Sequence, residues 1–240
     1  MSIGSDRAAL LTEQRSYFDT RRNIRLQPRD TAYIRRHFAE VMEVAKLRDG
    51  ESVCEWGAGL GRFSRLSLAC GARLCAIELA PNLAEACRAA LADEPLARVE
   101  TGDVVTVLER LDERFDLMIG FFVLHHLPEL EAYFAAAYAA LKPGGRMAFA
   151  EPNPWNPLFP VQITLTPGMR WSAEAGIYRL FSESVRRAAH KAGFKRVEIA
   201  FYGALPRAPY NALAQIGLER SVERLVPSAL KPFQTIVAWR

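Results

Sequence analysis

Lysine is scarce in this chain: of 31 basic residues only 5 are lysine, and the others are arginine. Arginine grips carboxylate and phosphate in a bidentate way, but an arginine- and alanine-rich composition gives the same count, and that plainer reading is preferred. Cysteine is also scarce. Cys54, Cys70, Cys75 and Cys87 form no C-x-x-C pair and have no histidine at ligand spacing, which argues against a zinc ribbon or a disulfide framework. They read as small reduced core residues. No apolar run, that at 119–124 included, approaches the ~20 residues of a membrane span. The N-terminal stretch carries Asp6, Arg7 and Glu13 around a short apolar patch, unlike a secretory signal, so a cytoplasmic location and no membrane partner are expected. With 50% of its 240 residues apolar, 15 glycines and 14 prolines, the chain is neither disordered nor low in complexity. The net charge of +4 is partly clustered, in Arg21, Arg22, Arg25, Arg29, Arg35 and Arg36.

What is present is an alternation. Apolar runs at 52–55, 73–78, 97–100, 115–122 and 146–151 predict buried strands. Amphipathic stretches at 61–68, 82–91, 104–111 and 129–141 predict helices, with Pro81 and Pro128 at two of their starts. Residues 141–145 read as a helix stop and tight turn. A helix is expected over 30–45 with Asp30 as its N-cap, and another over 182–192, stopped at Gly193. Strands are expected at 196–202 and 233–239, with an amphipathic stretch at 210–225 between them. The last strand is too apolar for its faces to be assigned. Strand–helix alternation of this kind implies parallel strands in a doubly wound α/β sheet. Residues 153–181, rich in proline and aromatics and without periodicity, read as a long loop covering a site.

The most informative stretch is 53–63, an apolar strand, a glycine-rich turn and a helix start. Gly57, Gly59 and Gly61 let a ligand approach the backbone, and the helix end offers free N–H groups. The spacing is G-x-G-x-G, not the G-x-G-x-x-G of dinucleotide folds, and Glu55 precedes it by two.

This E-x-G-x-G-x-G pattern resembles motif I of the class I S-adenosylmethionine-dependent methyltransferases, small-molecule branch. Further matches follow in order: Glu78 ending the second strand, Asp103 after the third, His125 and His126 after the fourth, the turn before the fifth, and Glu151 to Pro154 after it. The resemblance covers about 45–200. It implies a Rossmann-like seven-stranded, mostly parallel sheet with the last strand antiparallel, a helical cap at 1–48, and a domain at 49–240 with lid insertions at about 153–181 and 204–232. The second insertion forms either a lid or a homodimer contact. The implied cofactor is S-adenosylmethionine. It would be held by Glu55, Gly57, Ala58, Gly59 and Gly61, by Glu78 on both ribose hydroxyls beside Leu79, and by Gly102, Asp103 and Val104 at the adenine. Phe121 and Tyr17 would complete that half.

On the acceptor side the expectation names Tyr33, Glu151, Asn153, Trp155, Phe159, Trp171 and Tyr178, a set suited to an apolar or aromatic small molecule. His125 and His126 are the candidates for a general base; as neighbours at a helix start they should point apart, so that one faces substrate. No metal is expected. The expected reaction is in-line methyl transfer to O, N or C, driven mainly by proximity. The alternatives are an RNA methyltransferase using the arginine cluster, a non-catalytic S-adenosylmethionine-binding scaffold, and a nicotinamide dehydrogenase. Nucleic acid is disfavoured because Asp19, Asp30 and Glu40 border or interrupt the cluster.

Overall fold

Every residue of strand β1 (Ser52–Trp56) is buried, Glu55 included. Such a strand belongs in the middle of a sheet covered on both faces. The computed structural model, which describes residues 3–19, 30–167 and 169–240, places it there. On one side lie β2 (Arg73–Glu78) and β3 (Ala97–Thr101). On the other lie β4 (Phe115–Phe121), β5 (Leu141–Pro152), β7 (Phe233–Trp239) and, at the edge, β6 (Arg196–Tyr202). The order is β3-β2-β1-β4-β5-β7-β6. β7 runs antiparallel to both β5 and β6, and all other pairings are parallel. This is the expected doubly wound sheet with its last strand inserted antiparallel.

Strand side chains alternate between two cores, as period-two geometry requires. Cys54, Trp56, Ile77, Met118 and Phe149 share one core with residues of α5 (Val104–Arg110), α6 (Leu130–Ala140) and α9 (Ser182–Ala192). Val53, Leu74, Leu117, Ile119 and Ala148 share the other with residues of α2 (Ala32–Ala45), α3 (Arg62–Ala69) and α4 (Pro81–Ala90). The same rule settles β7: Ile236 and Ala238 join the first core and Val237 the second.

Several expectations need correction. The N-cap of α2 is Thr31, whose side chain accepts from the Ile34 N–H, while the Asp30 carboxylate is taken by Arg35 at 2.7 Å. The buried stripe Ile34, Phe38, Val41 and Ala45 packs α2 into the second core of the sheet. A further helix, α1 (Ile3–Asp19), precedes it. The expected loop at 153–181 contains α7 (Leu158–Leu165), α8 (Trp171–Glu174) and a 3-10 segment (Ala175–Leu180). The stretch 210–225 divides into α10 (Arg207–Ala214) and α11 (Glu219–Arg224). Residues 141–145, expected as a turn, are drawn into β5 with a register shift opposite 115–117. Cys54, Cys75 and Cys87 are buried free thiols and Cys70 is an exposed one. No helix among the described residues is long and apolar enough to cross a membrane. Arg21, Arg22, Arg25 and Arg29 lie outside the described residues.

Candidate active site

The strand order reverses between β1 and β4, and open α/β sheets bind ligands beyond the carboxyl ends of the strands at such a reversal. A cavity of about 890 Å³ lies there. Its walls come from the glycine turn, the ends of β2 and β4, residues 102–104, α1, α2 and α7, and residues 204–208.

The glycine turn is shaped for close approach. Gly57 and Gly59 have φ of 66° and 57°, the left-handed region that favours glycine. A Cβ on Gly57 would come within 2.7 Å of the Val123 side chain, whereas one on Gly59 would meet nothing within 4 Å. The turn is therefore packed against the end of β4 at one residue and open at the next. Glu78 stands beside it. Its Oε2 accepts from Gly59 N–H at 2.8 Å and its Oε1 from Ala80 N–H at 2.9 Å. The carboxylate, which the Leu79 N–H also approaches, keeps lone-pair capacity for a ligand hydroxyl. Burial raises the Glu78 pKa, and the backbone N–H bonds oppose that rise. Ala58, Leu79, Gly102 and Val104 complete this end of the cavity, with Phe121.

Other expected cofactor residues are placed differently. Glu55 and Gly61 do not line the cavity. The Glu55 carboxylate accepts from Ser64 Oγ at 2.6 Å, and burial pushes its pKa up to about 7 against that bond. Asp103 lines the cavity, but one oxygen accepts from the Tyr133 hydroxyl and the other from Arg7 at 2.7 Å. Tyr17 is buried off the cavity, its hydroxyl donating to Glu174 at 3.2 Å.

Of the residues expected at the acceptor, Tyr33, Phe159, His125 and His126 all line the cavity. The two histidines do not point apart: their rings lie 3.9 Å from one another. The reason is that residues 124–126 form a 3-10 turn rather than the start of an α-helix. Glu151 was expected to meet the acceptor. It is instead fully buried, its Oε1 accepting from Val123 and Leu124 N–H at 2.8 and 2.7 Å and its Oε2 holding His125 Nδ1 at 2.6 Å. Asn153 is likewise internal, donating to the Lys231 carbonyl at 2.8 Å and accepting from Trp155 N–H at 3.0 Å. Trp155, Trp171 and Tyr178 are exposed and off the cavity, with Trp155 resting edge-on against Phe181.

Three site residues were missed by sequence reasoning. Glu174, on α8, faces His125 Nε2 at 3.5 Å. Burial alone would raise its pKa, but His125, His126 and the Tyr17 hydroxyl outweigh burial and hold it at about 2. The same balance acts on His125: burial lowers its pKa, and Glu151 and Glu174 overcome this and raise it to about 9. Arg62 lines the cavity, lowered to about 10 by burial and by nearby Arg207. His37 lines it as well, with Nδ1 2.7 Å from the Tyr202 hydroxyl and Nε2 buried without a partner among the described residues. Arg62 follows the glycine turn directly and was the one with a sequence signal. Finally, Phe122 holds φ at 60° at the cavity wall, a strained conformation of the kind that clusters at ligand sites.

The state of His37 gives a pH prediction. Burial, then Arg62 and Arg36, push its pKa down to about 3. An unfolded histidine titrates near 6.5. Below that value the unfolded chain binds a proton the folded chain refuses, so stability falls on acidification. The expected loss from this group between pH 6.5 and pH 5 is about 2 kcal/mol. Urea unfolding at the two pH values should show it as the difference between wild type and His37→Phe, because Glu55, raised to about 7 by burial, adds an increment of opposite sign to both. An unchanged increment in the variant contradicts a neutral buried His37.

A glycine turn at the sheet's reversal, followed by a carboxylate at the end of β2, defines a Rossmann-like ligand-binding domain. Residues 29–199 match the methyltransferase domain family, and the chain belongs to it. Among curated relatives, it is 28% identical over 188 residues to a ribosomal RNA small subunit methyltransferase A from Anaeromyxobacter sp. (strain K), covering 78% of this chain and 55% of that protein. It is 27% identical over 125 residues to a ubiquinone biosynthesis O-methyltransferase from Methylobacterium nodulans, covering 50% of each. The chain thus spans about half the length of these relatives. Among solved structures, the Haemonchus contortus phosphoethanolamine N-methyltransferase 2 in complex with S-adenosyl-L-methionine superposes with a TM-score of 0.66 at 16% identity, covering 95% of this chain and 60% of that one. That likeness establishes the fold.

Proposed function

We propose that the chain is an S-adenosylmethionine-dependent methyltransferase acting on a small, largely apolar molecule. The observation that carries this reading is the meeting of Gly59 and the Glu78 carboxylate at the wall of a large cavity that His125, His126, Tyr33 and Phe159 also line. The open space at Gly59 and the spare lone pairs of Glu78 fit the sugar and backbone-approach needs of that cofactor. When bound, S-adenosylmethionine supplies a methyl group on a sulfonium, which is a good leaving group. The residues of this chain then have two tasks. Glu78, Gly57 and Gly59, with the wall at 102–104, fix the donor. The remaining wall aligns the acceptor nucleophile and excludes water. His126, half-buried at the cavity, is placed to take a proton from an acceptor that must lose one. Arg62 and Arg207 give one side of the cavity positive charge, suited to an acidic group on either ligand.

The relative that acts on ribosomal RNA supports a second reading. Against it, Arg35 is paired with Asp30, and Arg36 with Glu40 and Glu223, so these two arginines of the cluster are engaged by carboxylates.

Calorimetric titration of the purified chain with S-adenosylmethionine, S-adenosylhomocysteine and NAD tests the proposal. Micromolar binding of the first two and none of NAD is expected. Binding of NAD alone moves the chemistry to hydride transfer and overturns the reading.

A further inference from the structure

The acceptor end of the cavity carries a cluster that methyl transfer by proximity leaves unexplained. The 3-10 turn Leu124–His126 presents two imidazoles, and α8 brings Glu174 to them. One ligand atom from each of His125, His126 and Glu174 lies within 4.8 Å of the others, and all three residues line the cavity. We propose that His125, His126 and Glu174 form a binding site for a divalent transition-metal ion of the zinc, cobalt or iron(II) class, with its open coordination positions facing the acceptor.

Three features of the geometry carry this. First, each candidate ligand is oriented from behind by a partner of its own. His125 gives Nδ1 to Glu151 at 2.6 Å, which leaves Nε2 facing Glu174. His126 Nδ1 lies 3.1 Å from the Ala173 carbonyl oxygen; with the proton on Nδ1, the lone pair is on Nε2. Glu174 Oε1 accepts from the Tyr17 hydroxyl at 3.2 Å, and its other oxygen, Oε2, faces His125. A carboxylate or carbonyl behind each ligating histidine is what fixes its tautomer in metal sites. Second, the separation fits. Nε2 of His125 and Oε2 of Glu174 are 3.5 Å apart, longer than the ~2.7–2.9 Å of a charge-assisted hydrogen bond. Two ligands about 2.0–2.1 Å from a tetrahedral ion stand about 3.4 Å apart. Third, the donor set is two imidazoles and one carboxylate. That set suits first-row transition ions over magnesium or calcium, and three protein ligands leave room for an exogenous one.

The inference deepens the proposed function, and its acceptor role rests on that reading: the open position would take an oxygen or nitrogen of the molecule to be methylated, and the ion, with His126 Nε2 bound to it, would replace that histidine in easing loss of the acceptor's proton. Metal binding itself does not depend on the cofactor, so the two are tested separately. The chelator-treated chain is dialysed against Zn²⁺ alone and, in parallel, Co²⁺ alone. Bound metal is measured by elemental analysis, and the cobalt sample by its visible d–d absorption. About one equivalent bound, with cobalt bands of tetrahedral or five-coordinate intensity, is expected. His126→Ala and Glu174→Gln should each weaken binding by at least about tenfold. S-adenosylhomocysteine titration of the same samples reports the cofactor site independently. Failure to bind it while metal binding stands sinks the methyltransferase reading and spares the metal site. Substoichiometric metal, or metal held equally well by His126→Ala, overturns the site. His126 is half-buried, so this variant decides the matter if Glu174→Gln does not fold.

Discussion

Replacing Glu151 by alanine should cost the protein about 4 kcal/mol or more of folding stability, measured by urea unfolding. The side chain is fully buried and does three jobs at once, accepting from two successive backbone N–H groups and from the His125 ring. Alanine would leave two buried donors unsatisfied, at ~1–3 kcal/mol each, and break a buried charged pair, which alone typically costs ~3–5 kcal/mol. These terms share atoms and do not simply add. Glu151→Gln should lose less, because the amide oxygen can still accept from Val123 and Leu124. His125 would then face an N–H₂ group and have to give up its Nδ1 proton. A loss below about 1 kcal/mol in the alanine variant would mean that the turn at 123–126 is held by something other than Glu151.

The second large effect is expected in binding. Glu78→Ala should weaken S-adenosylmethionine and S-adenosylhomocysteine by at least a hundredfold, roughly the effect of losing two charge-assisted hydrogen bonds of about 1.5–3 kcal/mol each. The substitution also releases the Gly59 and Ala80 N–H groups that the carboxylate now holds, so the glycine turn loses part of its support. Calorimetry on the variant, with a melting curve to establish that it is folded, reads the effect. Affinity within threefold of the wild type would place the ribose elsewhere and undo the role given to Glu78.

What the sequence revealed and what it hid divide along chain separation. The turn at Gly57, Gly59 and Gly61 and the acid at Glu78 were legible because strand, turn and helix start are local signals, each complete within about a dozen residues. β7 was legible as a strand but not by face, since apolar residues occupy both sides; only the cores on either side decide it. The partners of the site were hidden for the opposite reason. Tyr17 meets Glu174 from 157 residues away and Arg7 meets Asp103 from 96 away. Glu151 and Asn153 were correctly seen at a strand end near the cavity, but residue type does not say whether a carboxylate will face a ligand or a backbone N–H. Trp155, Trp171 and Tyr178 were assigned from aromatic character and their place in the long segment after β5, and all three are exposed. The helix α1 escaped notice because its apolar residues form no marked stripe.

That helix has a kinetic consequence. Arg7 fastens it to Asp103, Tyr17 to Glu174, and Asp19 to the start of α4 at 3.0 Å, so one rod is moored at both ends of the chamber. Parting a mooring would widen the way out for a guest as large as a nucleoside. Spent donor should therefore dwell, inhibit its successor, and leave in a step slower than the chemistry. Because one mooring is an ion pair with Arg7 about a quarter exposed, added salt should shorten that dwell and quicken steady-state turnover.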